Sequence, residues 1–347
     1  LPSKQAYYVS GNTADGFVNF LSTNVEDFHH VIILNHPSAT LKTKVIQQII
    51  NKYESESDLE VLLSPLGSEF LDGVIIRGHS FAVVVDTIAT PDLNGAIEVD
   101  LGLFLARSEE SYPDKQEKIK QLTEESYTNF ETGLKIHDDL EKVYINEMDF
   151  EKANEIAEEF ITKLLNSKEK QNRKANIYHR LFGTNTKDGV VNEVPEILKT
   201  LSTCYFVKGR AGTGKSTFMK KIMSACHDYG YDIELYHCSF DPSSIDMVLV
   251  RELDFCIFDS TDPHEFFPSE DGHSIIDLYE EAVTPGTDEK YATEIDALNT
   301  NYKSFMKKGI VNLKEAGKFH EEVEMQYHFE EHDVSKIVTF ILGKIIQ

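Results

Sequence analysis

Cysteine is scarce in this chain, with four in 347 residues, and no two lie close enough to form a Cys-x-x-Cys pair. Cys204, Cys226, Cys238 and Cys256 each sit in an apolar segment. That pattern argues against a disulfide framework or a cysteine zinc site and suits reduced, buried thiols in a cytoplasmic protein. Long apolar runs are missing too. No stretch approaches the roughly 20 residues of a membrane-spanning helix, and the opening "LPSKQAYYVSG" has no apolar signal core, so neither a membrane partner nor secretion is expected. Positive charge is also in deficit. Lys and Arg number 34 against 59 Asp and Glu, for a net charge of −25. Such a surface repels phosphate backbones and anionic lipid at long range, which excludes nucleic acid as a default partner. The one basic run, "KEKQNRK" from Lys168 to Lys174, reads as a solvated linker.

What is present is a globular composition, 41% hydrophobic and 27% charged, in a chain long enough for two domains. It is also a repeat. "NTADGFVN" at Asn12–Asn19 matches "NTKDGVVN" at Asn185–Asn192 at six of eight positions, 173 residues later. The same offset places Lys42 on Lys215 and Thr43 on Ser216. "DGVIIRGHSFAVVVDT" (Asp72–Thr87) faces "DMVLVRELDFCIFDS" (Asp246–Ser260), which pairs Arg77 with Arg251 and, after one extra residue, Asp86 with Asp259. "KIHDDLEKVY" (Lys135–Tyr144) matches "KFHEEVEMQY" (Lys318–Tyr327) at an offset of 183. Ordered matches at so steady an offset indicate a tandem duplication, with one lobe over residues 1–170 and a second over 171–347.

Short apolar runs alternate with helical stretches in both halves. In the second, "CYFV", "IELYH", "MVLV" and "FCIF" read as strands and Ser216–Tyr229 as a helix. In the first, "VIIL", "EVLL", "VIIR" and "FAVVVD" are the strands and about 114–165 is a helical tail. The expected fold class is α/β: two tandem lobes with parallel central sheets and helical C-terminal extensions.

"GRAGTGKS", Gly209–Ser216, satisfies G-x-x-x-x-G-K-S between a strand and a helix. Gly209, Gly212 and Gly214 permit backbone conformations closed to other residues and let amides approach phosphate oxygens. The backbone of Arg210, Ala211 and Thr213, with the helix start at Lys215, Ser216 and Thr217, would complete an anion cradle. Lys215 would reach the outer phosphates of ATP, and Ser216 and Asp259, the latter ending "FCIFD", would hold Mg2+. Asp241 in "CSFDP" is a candidate second carboxylate, as base or substrate ligand, although an Asp-Pro turn explains it almost as well. Arg251 reads as a structural ion-pair partner, because Arg77 survives in the copy that lost its loop. His264 reads as a loop histidine without a task. His137 with Glu141, and His320 with Glu324, share a helical face in each copy and read as packing residues.

The upstream counterpart "HPSATLKT", His36–Thr43, has His36, Ala39 and Leu41 at the glycine positions. It reads as a decayed phosphate loop with no tight nucleotide site.

The "GNTxDG" lead-in, the "KGRAGTGKST" loop, the "YHCSFDPSSIDMVLVRELDFCIFDSTDPHEFFP" block and the "KxHxxxExxY" helix together resemble a bacterial family of tandem P-loop ATPases, over nearly the full chain. In that family both halves usually carry phosphate loops and a "DGTAPH"-like segment follows the Walker B strand. "DSTDPH" (Asp259–His264) fits this, and "DTIATP" (Asp86–Pro91) is degraded. The resemblance implies binding and hydrolysis of ATP, and no particular substrate. The expectation is a slow Mg-dependent ATPase or nucleotide switch acting on an unknown protein or small-molecule partner. "FCIFDST" lacks the Asp-Glu pair whose glutamate activates water, which argues against vigorous hydrolysis. A small-molecule or nucleoside kinase and a non-catalytic ATP-binding scaffold are the alternatives.

Overall fold

The computed structural model describes residues 1–106 and 111–345. The first half begins with β1 (Lys4–Tyr7), a hairpin of β2 (Ser10–Thr13) and β3 (Gly16–Asn19), and a short helix α1 (Leu21–Asn24). There follow β4 (His30–Asn35), α2 (Ala39–Tyr53), β5 (Leu59–Leu63), β6 (Leu71–Ile76), β7 (Phe81–Val85) and β8 (Ala96–Asp100). Two helices close it, α3 (Pro113–Ile145) and α4 (Phe150–Leu165). The second half repeats the plan with β9 (Ile177–Arg180), β10 (Gly183–Thr186), β11 (Gly189–Asn192), α5 (Val194–Leu198), β12 (Thr203–Lys208) and α6 (Lys215–Asp228). It continues through β13 (Ile233–His237), β14 (Ile245–Val250), β15 (Phe255–Asp259) and β16 (His273–Asp277). The helices α7 (Leu278–Ala282), α8 (Thr287–Lys290), α9 (Ala292–Glu324) and α10 (Glu331–Ile345) end the chain.

Each half builds a six-stranded sheet, ordered β1-β5-β6-β7-β4-β8 in the first and β9-β13-β14-β15-β12-β16 in the second. The orders correspond strand for strand. The sheets are mixed rather than wholly parallel, because β6 and β14 run antiparallel to both of their neighbours. The reason is connection length. Between β6 and β7 stand only Arg77–Ser80, and between β14 and β15 only Arg251–Asp254. A parallel crossover needs a dozen or more residues. Both turns end in a left-handed residue, Ser80 and Asp254, each at φ 52°.

The helical tails cross over. α4 packs on α6 of the second half, and α10 packs on α2 of the first. α3 and α9 lie along each other. Gly309 makes that pairing possible: a Cβ there would stand 2.3 Å from the ring of Phe130, which is fully buried.

Where the halves meet, Tyr8 and Leu181 exchange backbone bonds, Tyr8 N–H to Leu181 O at 3.0 Å and Leu181 N–H to Tyr8 O at 2.8 Å. Beside them lies a buried ionic cluster. Arg180 donates to Glu60 (2.9 Å) and Glu234 (2.8 Å), one carboxylate from each sheet. Arg77 pairs with Glu60 and Arg251 with Glu234, each at 2.7 Å. Both arginines are therefore structural ion-pair partners, as their retention in both copies suggested.

Candidate functional site

The glycine loop runs from the end of β12 into α6. Gly212 and Gly214 adopt φ of +75° and +79°, in the left-handed region that side chains avoid. Thr213 is fully buried and staples the loop: its Oγ1 accepts from Arg210 N (3.0 Å) and donates to Arg210 O (2.8 Å). Gly209 is required by the same contact, since a Cβ there would meet Thr213 Oγ1 at 2.5 Å. Lys215 opens α6, and its ammonium lies back over the loop, donating to Arg210 O at 2.7 Å and standing 3.8 Å from Asp259. Among the described residues, no acceptor takes the amides of Gly214, Lys215 or Ser216. Open amides at a helix start, a lysine above them and no Cβ in the bend form an arrangement that can cradle an anion.

The other positions divide in role. Arg210 turns away from the cradle: it pairs with Asp288 at 2.9 Å and lies 4.2 Å from the Tyr279 ring centre. Ala211 packs beside Leu140, Tyr144 and Val283, and Thr217 is exposed on the first turn of α6. Ser216 Oγ accepts from Ile245 N at 2.9 Å, and Thr43 does the same for Leu71 N at 3.0 Å in the first half. This hydroxyl therefore has a structural task in both copies. A hydroxyl oxygen has two lone pairs, so Ser216 keeps one for a cation. Asp259 is brought beside the loop by the pairing of β15 with β12, in which it stands opposite Val207. One of its oxygens accepts from Thr261 at 2.6 Å. Asp241 serves its own turn, accepting from Ser243 N and Oγ (3.1 and 2.7 Å) and from Ser244 Oγ (3.1 Å).

His264 has a task, contrary to expectation. It is buried, with Nε2 3.3 Å from Asp246 and Nδ1 2.8 Å from the Asp259 carbonyl. Two acceptors favour the imidazolium, and although burial opposes it, the Asp246 carboxylate lifts its pKa to about 9. His264 thus ties the end of β15 to β14.

The upstream loop is closed. α2 starts at Ala39, the counterpart of Gly212, whereas α6 starts only at Lys215. Residues that bend in one copy are wound into helix in the other. Ser38 caps α2 by accepting from Leu41 N at 3.1 Å. Over this start lies Glu324 of α9, whose carboxylate accepts from Ala39 N (2.6 Å), Ser38 Oγ (2.8 Å) and Thr40 N (3.3 Å). A carboxylate there complements the positive end of the helix. Lys42 is 4% exposed and spent on Asp86 at 2.6 Å.

The crossed tails place α3 against the intact loop in the same way. A Cβ at Gly212 would lie 2.6 Å from the Glu141 carbonyl and 2.9 Å from its Cα. Glu141 follows His137 by one turn, with Nδ1 to Oε1 at 3.5 Å. Burial and the charges of Asp138 and Asp241 hold the Glu141 carboxyl above its usual range, while Lys215 draws it down. Burial and Lys215 push His137 down to about 4, so it is neutral. The repeated "KxHxxxExxY" motif was the sequence signal for these residues. Their position across the lobe boundary was not in it.

Comparison of the chain with protein-family models, curated proteins and solved structures finds no significant match. Among the described residues, no helix is long and apolar enough to cross a membrane, and no group of three or more His, Cys, Asp or Glu has metal-holding geometry. The four cysteines are free, and all but Cys238 are buried.

Proposed function

We propose that the chain binds one Mg–ATP in its second half and works as a slow ATPase or nucleotide switch, in the manner of the tandem P-loop ATPases it resembles. The observation that carries this reading is the contrast between the two loops. One bends at Gly212 and Gly214 and leaves helix-start amides open, while the other is wound into α2 and capped by Glu324. Gly209–Ser216 would wrap the phosphates, and Lys215 would face the outer ones. Ser216 and Asp259 fit a magnesium ion by donor chemistry, a hydroxyl and a carboxylate beside the loop. The ion would supply charge neutralisation at the phosphates.

The kinase reading needs Asp241 to hold an acceptor, and both its oxygens already accept from Ser243 and Ser244. A switch also suits a chain in which the tail of each copy rests on the loop of the other. Calorimetric titration with Mg–ATP tests the reading. One site per chain is expected, and two equivalent sites, or none, would refute it.

A further inference from the structure

The strand that carries Asp259 continues Ser260-Thr261, so it supplies no neighbouring glutamate to activate water. The crossed helices offer one from elsewhere. In the first half, Glu324 shows where a carboxylate at this helical position reaches: it lies on the amides of Ala39 and Thr40. The counterparts of those residues are Gly212 and Thr213, and the counterpart of Glu324 is Glu141. In the intact copy the Glu141 backbone already touches Gly212. Its carboxylate makes no hydrogen bond to the loop among the described residues, its nearest partner being His137 Nδ1 at 3.5 Å. Among the described residues, that nitrogen is buried and has no hydrogen-bond partner.

A terminal phosphate held by the open amides would therefore stand next to Glu141. Two anions in contact repel, so something bearing protons must lie between them, and a water fits. We propose that Glu141, delivered by the first copy's helix, is the general base for ATP hydrolysis at the second copy's loop, with His137 Nδ1 beside it at 3.5 Å. Water oxygen bonds to the terminal phosphorus while the bond from phosphorus to the bridging oxygen breaks. Glu141 accepts the water proton, and the charge left on the departing diphosphate faces Lys215. The proton then passes from Glu141 to solvent as phosphate leaves. The intact site is thus built from both copies, which gives the first half a part in the chemistry although its own loop is closed.

This inference rests on the nucleotide-binding reading, and the test separates the two. Binding of Mg–ATP and of a non-hydrolysable analogue is measured by calorimetry, and phosphate release by a coupled assay, for parent, Glu141→Gln and Glu141→Asp. Glu141→Gln should bind the analogue within about threefold of the parent and lose at least about 100-fold in turnover, the range for a removed general base. Glu141→Asp keeps the charge on a shorter arm and should fall between them, and it decides the matter if the glutamine variant does not fold. A parent that binds no nucleotide overturns the nucleotide-binding reading itself. If the parent binds but does not hydrolyse, or if Glu141→Gln turns over at the parent rate, only the base assignment falls. Analogue binding at least tenfold tighter in Glu141→Gln than in the parent, with turnover unchanged, would make Glu141 an obstructing carboxylate instead.

Discussion

Asn12 and Asn185 hold each other across the lobe boundary by the same bond in both directions. Asn12 Nδ2 donates to Asn185 O at 2.9 Å, and Asn185 Nδ2 donates to Asn12 O at 2.8 Å. Residues at matching positions of a repeat can do this only about a twofold axis, as in an isologous dimer interface. The duplication therefore reads as a two-subunit assembly fused into one chain. Each side chain is buried, so truncation leaves a buried carbonyl without its donor. Asn12→Ala and Asn185→Ala should each cost about 1–3 kcal/mol in urea unfolding. A neutral result for either one would show that the axis is not held by this pair.

Arg180 is the other lock on that boundary. Its guanidinium lies 3.9 Å from the Tyr7 ring centre, and Tyr7 is its own counterpart in the first copy. The duplicated site thus holds a cation in one copy and the ring that receives it in the other. Arg180→Met would leave Glu60 and Glu234 buried, each with one arginine, Arg77 or Arg251, and one tyrosine hydroxyl, from Tyr7 or Tyr236. Removing one member of a buried ionic set costs about 3–5 kcal/mol. Arg77→Met, at a half-exposed side chain, should cost less. Equal denaturation midpoints for the two variants would contradict this ranking.

The repeat and most core strands were legible because buried strands are apolar and the two copies still align. Strand direction was not. "MVLV" and the apolar part of "VIIR" are buried on both faces whichever way they run, and only the four-residue turns that follow make β14 and β6 antiparallel. The edge strands β8, "AIEVD", and β16, "HSIID", carry no buried apolar run that would mark them in the sequence: β8 is largely exposed, β16 is partly exposed, and both are about half polar. The crossing of the tails was also hidden. Periodicity shows that α3 and α9 have an apolar stripe but not which lobe that stripe meets. The task of His264 is hidden in the sequence because its partner, Asp246, lies 18 residues away on β14, while His264 itself sits in the loop after β15.

Asp246 and its counterpart Asp72 allow a pH test. Both are buried, but where Asp246 has His264, the first copy has Pro91. Asp72 is left with the hydroxyls of Ser64 and, at 3.1 Å, Ser10, and although these and the Lys42 charge draw its pKa down, burial raises it to about 7. A carboxyl with a raised folded-state pKa favours the protonated folded form. Its contribution to stability therefore declines as pH rises from about 4 to about 7 and is level above that. Asparagine does not titrate. Asp72→Asn should match the parent near pH 4 in urea unfolding and become progressively more stable than it up to about pH 7. A stability difference that does not change with pH would mean that Asp72 is not the group responsible.

Lys215 and Lys42 give the sharpest internal comparison, because they occupy matching positions and both face a strand-end aspartate. Lys215 stands over open amides at 3.8 Å from Asp259, whereas Lys42 is locked to Asp86 at 2.6 Å above a helix start that Glu324 has capped. In a water-poor site, a lysine aimed at a leaving phosphate is worth more than the same charge in bulk water. Lys215→Ala should abolish nucleotide-dependent turnover, at about tenfold for every 1.4 kcal/mol of lost transition-state stabilisation. Lys42→Ala should leave nucleotide binding and turnover within about threefold of the parent and show its effect in stability instead. The loss there should be about 1–3 kcal/mol, since Asp86 is left without its partner. Phosphate release and urea unfolding on both variants separate the two effects. Equal loss of turnover in two folded proteins would mean that the first copy's lysine serves the site, and the closed-loop reading would fail.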